Sequence, residues 1–82
     1  MMAGRPAKTA APLFGQRLAA LRRERGMTQA QLAAATNETS KMMEYYERRA
    51  ENPSLDFVQR AALALGVSVA ELAGEKLPPA TA

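Results

Sequence analysis

The groups able to do chemistry in this 82-residue sequence are eleven Lys and Arg, eight Asp and Glu, and two Tyr; His and Cys are both absent. Without Cys there is no disulfide, no thiolate nucleophile and no cysteine zinc site, and without His the commonest metal ligand and general base is missing. An enzyme would have to work with carboxylates, Lys and Tyr alone. The sequence holds neither a glycine-rich phosphate loop nor a paired-carboxylate motif, so no metal, cofactor or catalytic residue is expected. The cations offer a different chemistry. A net charge of +3 is compatible with a polyanionic partner, whose phosphates Lys and Arg can neutralise. Arg22, Arg23 and Arg25 form a run that reads as a solvated helix face before it reads as a binding stripe.

Helices must position these groups. The composition is 48% hydrophobic, only four residues are aromatic, and few are β-branched outside Val67 to Val69, which favours helix over strand. From Leu13 to Arg25, Phe14, Leu18 and Leu21 recur at helical spacing, and Gly26 supplies a stop. Thr28 with Gln31 has the form of a capping box, which opens a second helix over about Gln29 to Ala35 with Leu32 inward. Asn37 tolerates the left-handed conformation, so Thr36 to Glu38 is expected to be a tight turn. Thr39 can cap a third helix reaching Tyr46 or Arg48. After a linker of Arg49 to Pro53, Ser54 can cap a fourth, with Leu55, Val58, Ala62 and Leu65 as its stripe and Gly66 as its end. Ser68 with Glu71 opens a short fifth helix containing Val69 and Leu72.

The expectation is an all-α, compact five-helix domain over residues 13–73. Residues 1–12 should be a flexible basic arm carrying Arg5 and Lys8, or an inert tail, and residues 74–82 a loose C-terminal tail. No apolar run approaches the roughly 20 residues needed to cross a bilayer. Met1 to Pro12 lacks the apolar middle of a secretory signal. A cytoplasmic protein that meets no membrane is expected.

The second and third helices, joined by a short turn, have the form of a helix-turn-helix unit, whose second helix lies in the major groove of DNA while the first crosses the backbone. That geometry needs a small residue where the helices cross, a residue tolerant of positive φ in the turn, and two inward apolar residues three apart. Ala33, Asn37, and Met43 with Tyr46 meet these needs together. Met42 and Tyr45 then point elsewhere.

Gln29-x-x-x-Ala33, Asn37-x-Thr39, Met43-x-x-Tyr46-Glu47, Asn52-Pro53-Ser54-Leu55 and Leu65-Gly66-Val67-Ser68 resemble the lambda-repressor-like, Cro-type helix-turn-helix regulators. With Phe14-Gly15 and Leu21-Arg22, the resemblance covers about residues 13–73. It implies a transcriptional regulator that binds double-stranded DNA as a homodimer, with repression as the family's usual mode. It places base contacts on Thr39, Ser40, Lys41 and Tyr45, and on Gln29 a phosphate contact that also braces the recognition helix; Thr28, Arg48, Arg49 and Asn52 then suit further backbone contacts. It also pairs Glu47 with Arg22 as a structural ion pair. The chemistry suits these roles: Lys41 can donate to guanine O6 or N7, Thr39 and Ser40 can meet base edges or phosphate, and Tyr45 can donate or pack on a thymine methyl. Glu44 can accept from cytosine N4 or stand solvated.

The sequence departs from the family at the turn. Thr36 and Glu38 occupy positions that are usually apolar, Asn37 replaces the usual Gly, and Arg49 stands where Gly is common. The polar pair is expected to loosen the turn or to be covered by another chain. Dimerisation is expected through Val67, Val69 and Leu72, unless those residues simply close the monomer core. The rival function is a protein-interaction or antitoxin module with a partner such as a toxin, since one fold serves several functions.

Overall fold

The computed structural model describes residues 11–73; the basic arm and the C-terminal tail, apart from Ala11 and Pro12, lie outside the described residues. Helix α1, Leu13–Glu24, follows Pro12, whose φ of −58° already matches the helix and whose carbonyl accepts from the Gln16 N–H at 3.0 Å. At its other end Arg25 is the cap, and Gly26 at φ 67° lets the Met27 N–H turn back to the Arg22 carbonyl at 3.1 Å.

Helix α2, Gln29–Ala35, opens on a complete capping box: the Thr28 hydroxyl accepts from the Gln31 N–H at 3.0 Å, and the Gln31 side chain accepts from the Thr28 N–H at 2.8 Å. Helix α3, Ser40–Arg48, is capped by Thr39, and helix α4, Leu55–Leu65, by Ser54, each accepting from a backbone N–H three residues on. Gly66 ends α4 at φ 74°. Helix α5, Val69–Ala73, follows with Ser68 and Glu71 bonded to each other's backbone N–H groups.

Packing gathers these helices round one core. α1 lies against α3 and α5, α2 against α3 and α4, and α4 against α5. Leu18, Leu32, Met43, Phe57 and Leu72, one from each helix, are fully buried, and each such side chain stabilises the fold by about 1.5–3 kcal/mol. Phe57 is the centre: the Tyr46 ring stacks on it at 3.7 Å, and Phe14 meets it edge-on at 6.3 Å.

One expectation is corrected, and one open alternative is decided. Leu55 does not belong to the inward stripe of α4; it is 64% exposed, and Phe57, Ala61 and Leu65 take the centre of that face. Two residues are about 200° round a helix, so burying Phe57 turns Leu55 outward. Leu72 is buried and Val67 and Val69 pack half-buried on the core, so these three close the monomer itself. The large apolar side chains left outside on α4 are Leu55 and Leu63.

Candidate nucleic-acid interface

The turn between α2 and α3 is built from backbone bonds that run back onto α2. Asn37, at φ 63°, is the one non-glycine residue with positive φ among those described. Its N–H reaches the Ala34 carbonyl at 3.2 Å and the Glu38 N–H reaches the Ala33 carbonyl at 2.8 Å, the paired closure of a Schellman turn. Ala33 is buried at the crossing. The polar residues do not loosen this turn. Thr36 is 1% exposed, yet its hydroxyl donates within the helix, in contact with the Leu32 and Ala33 carbonyls at 2.9 and 3.1 Å. Glu38 accepts from Arg60 of α4 at 3.1 Å.

Directly after the turn, α3 divides into two faces. Met43 and Glu47 are buried and Tyr46 is half-buried, while Thr39, Ser40, Lys41, Met42, Glu44, Tyr45, Arg48 and Arg49 are exposed. Lys41, Glu44, Tyr45, Arg48 and Arg49 surround one shallow depression on the outer face. It carries three cations and one carboxylate, and the Glu44–Arg48 pair is long at 4.0 Å and exposed, so it does little to neutralise the surface. Asn52 stands exposed in the α3–α4 connection, outside that depression.

The inner end of α3 is held by α1 and α2 together. Arg22 grips Glu47 with two bonds, Nε to Oε2 at 2.6 Å and Nη2 to Oε1 at 3.0 Å, and its Nη1 donates to the Met27 carbonyl at 2.8 Å. Gln29 Nε2 donates to the same Glu47 carboxylate at 2.9 Å. This geometry satisfies a carboxylate that is otherwise costly to bury. Beside it, a groove of open space is lined by Gln16, Arg23, Gln29 and Arg48 over a floor that includes Gly15. Arg48 therefore borders both depressions.

The structure thus groups Lys41, Tyr45, Arg48 and Arg49 on one surface and draws Gln29 to Glu47 and Arg48, while the Thr28 hydroxyl serves its own helix cap. Sequence reasoning overlooked Gln16 and Arg60, and treated Arg23 as bare surface. Gln16 and Arg23 are seven apart, hence on one face of α1, a spacing that was legible. Burial raises the Tyr46 phenol above its usual range, with the Glu38 charge as a lesser cause. Among the described residues no group of acids could hold a metal ion, and no helix is long and apolar enough to cross a membrane.

Residues 13–74 match the helix-turn-helix domain family. The immunity repressor protein of Bacillus phage phi105 is 42% identical over 62 residues, which is 76% of this chain; the chain spans 43% of that protein's length. The restriction-modification controller protein C.AhdI from Aeromonas hydrophila superposes with a TM-score of 0.68 at 36% identity, covering 72% of this chain and 89% of that one. SinR, a master regulator for biofilm formation and a Bacillus subtilis protein, superposes in its complex with DNA with a TM-score of 0.71 at 30% identity, covering 76% of this chain and 100% of that one. With a family match over most of its length and a fold shared with these structures, the chain belongs to the helix-turn-helix domain family, and its fold is lambda-repressor-like.

Proposed function

We propose that this protein is a sequence-specific repressor that lays α3 in the major groove of double-stranded DNA. The observation that carries this reading is the exposed cationic face of α3 around Lys41, Tyr45, Arg48 and Arg49, presented by a helix whose opposite face is locked into the core. Thr39, Ser40, Lys41 and Tyr45 read base edges, and Thr28, Gln29, Arg48, Arg49 and Asn52 meet the phosphate backbone. That SinR, whose fold this chain shares, has been solved in complex with DNA supports DNA as the partner. The protein binds as a dimer, with half-sites about 34 to 36 Å apart, and sedimentation of the free protein and of its duplex complex checks that state.

Selecting bound sequences from a random duplex pool tests the function directly. The expected result is one enriched site with two-fold symmetry, bound less tightly as salt rises. A second reading, a protein-interaction or antitoxin module meeting a partner such as a toxin, is favoured by the exposed Leu55 and Leu63 of α4. Failure to enrich any sequence supports that second reading.

A further inference from the structure

We propose that Arg60, on α4 and away from the exposed face of α3, is a positioning residue that sets the aim of the recognition helix by clamping the turn before it. The proposal rests on the reading that α3 meets DNA.

The turn closes with Glu38 at the position where a Schellman motif commonly packs an apolar side chain against the helix it ends. Glu38 cannot make that contact. Its side chain is nevertheless only 17% exposed, and its carboxylate bonds Arg60 Nη2 at 3.1 Å. Arg60 Nη1 donates to the carbonyl of Thr36, the cap of α2, and its Nε donates to Asp56 Oδ2 at 3.1 Å. One planar guanidinium therefore ties the end of α2 and the turn to the body of α4, in place of the missing apolar contact. The Arg60 guanidinium carbon lies 5.8 Å from the Phe57 ring centroid, at the edge of the core.

Nothing absorbs motion between this clamp and the proposed reading residues. Glu38 is followed at once by Thr39, whose hydroxyl caps α3, and then by Ser40 and Lys41 in the first helical turn. A small rotation at residues 36–38 displaces all three side chains, and base readout depends on hydrogen-bond geometry in a way that phosphate attraction does not. Asp56 is 77% exposed, so the Thr36 and Glu38 contacts are the ones that matter.

The test compares the wild-type protein with Arg60→Met, Arg60→Lys and Glu38→Gln, using the duplex enriched by wild type and a scrambled duplex, at a temperature where each variant is fully folded. Arg60→Met and Glu38→Gln should each weaken binding to the enriched duplex roughly tenfold, comparable to one lost base contact, while binding to the scrambled duplex stays within about twofold. Arg60→Lys keeps the charge but not the fork, and should also lose selectivity. Glu38→Gln is the milder variant for folding, and a carboxylate cannot be a phosphate contact. Equal weakening on both duplexes, or full rescue by Lys, overturns the proposal. If wild type enriches a site and both Arg60→Met and Glu38→Gln keep its full selectivity, the clamp alone is refuted. If wild type enriches none, the DNA reading of α3 fails and the proposal falls with it.

Discussion

Gly15 of α1 lies so close beneath the backbone of Glu47 that a Cβ added to it would sit 2.2 Å from the Glu47 carbonyl oxygen and 2.9 Å from that of Tyr46. Both neighbours are backbone, so neither can swing aside. Gly15→Ala must push α1 away from the end of α3, at a cost of about 1–3 kcal/mol. In a domain of this size each kcal/mol lowers the melting temperature by roughly 4–8 °C. A thermal scan of the variant checks this, and an unchanged midpoint would show that the helices do not approach so closely in solution.

Glu47 is expected to be the most sensitive polar residue in the chain. Glu47→Ala leaves the buried Arg22 without its two-bond partner and releases Gln29 as well. Removing one member of such a pair costs about 3–5 kcal/mol, a large share of the roughly 4–12 kcal/mol total expected at this length. Replacing both, as Arg22→Met with Glu47→Leu, should cost less than Glu47→Ala alone. Urea unfolding of the single and double variants decides the order.

Within the proposed DNA face, Lys41 in the first turn of α3 and the arginines at its C-terminal end, Arg48 and Arg49, should behave differently. Lys41→Ala should cost about 1 to 3 kcal/mol on the enriched duplex and relax preference at one base pair. Arg48→Ala or Arg49→Ala should weaken all duplexes alike and reduce the salt slope by about one. Titrations of each variant on enriched and scrambled duplexes at several salt concentrations separate the two. Equal loss for Lys41→Ala on both duplexes would make Lys41 a phosphate contact.

Alkaline pH should expose the burial of Tyr46. Its phenol is raised above the ordinary value near 10 by desolvation first, then by the nearby Glu38 charge; Tyr45 and Asp56 add to the shift and Arg60 opposes it. The folded state therefore holds the phenolic proton more tightly than the unfolded state. This contribution is fully present below pH about 10 and is lost as pH rises through the folded-state value. Urea midpoints should fall above that pH in the wild type, and less steeply in Tyr46→Phe. Parallel curves would count against the shift.

Much of the fold was legible because its signals are local. Thr28 with Gln31, Thr39, Ser54, and Ser68 with Glu71 are caps completed within three residues, and the structure uses each of them. Asn37 stood out for the same reason, since tolerance of positive φ belongs to the residue itself. The faces of α3 followed from helical spacing, with Met43 inside and Met42 and Tyr45 outside. Leu55 was misplaced because several apolar residues of α4 offer competing stripes, and only packing against Tyr46 and Phe14 makes Phe57 the centre.

The sequence by itself determined where the helices begin and end, that a helix-turn-helix is present, and which side of α3 is free. Tertiary structure alone decided what holds that helix in place. Arg60 meets Thr36 and Glu38 across 24 and 22 residues, Arg25 reaches the Leu65 carbonyl across 40, and Gly15 lies under Glu47 from a different helix. Caps and periodicity are set by neighbours whose separation the covalent chain fixes. Clamps between helices depend on crossing angles and on where each helix stops, quantities that exist only once every helix has packed against the others.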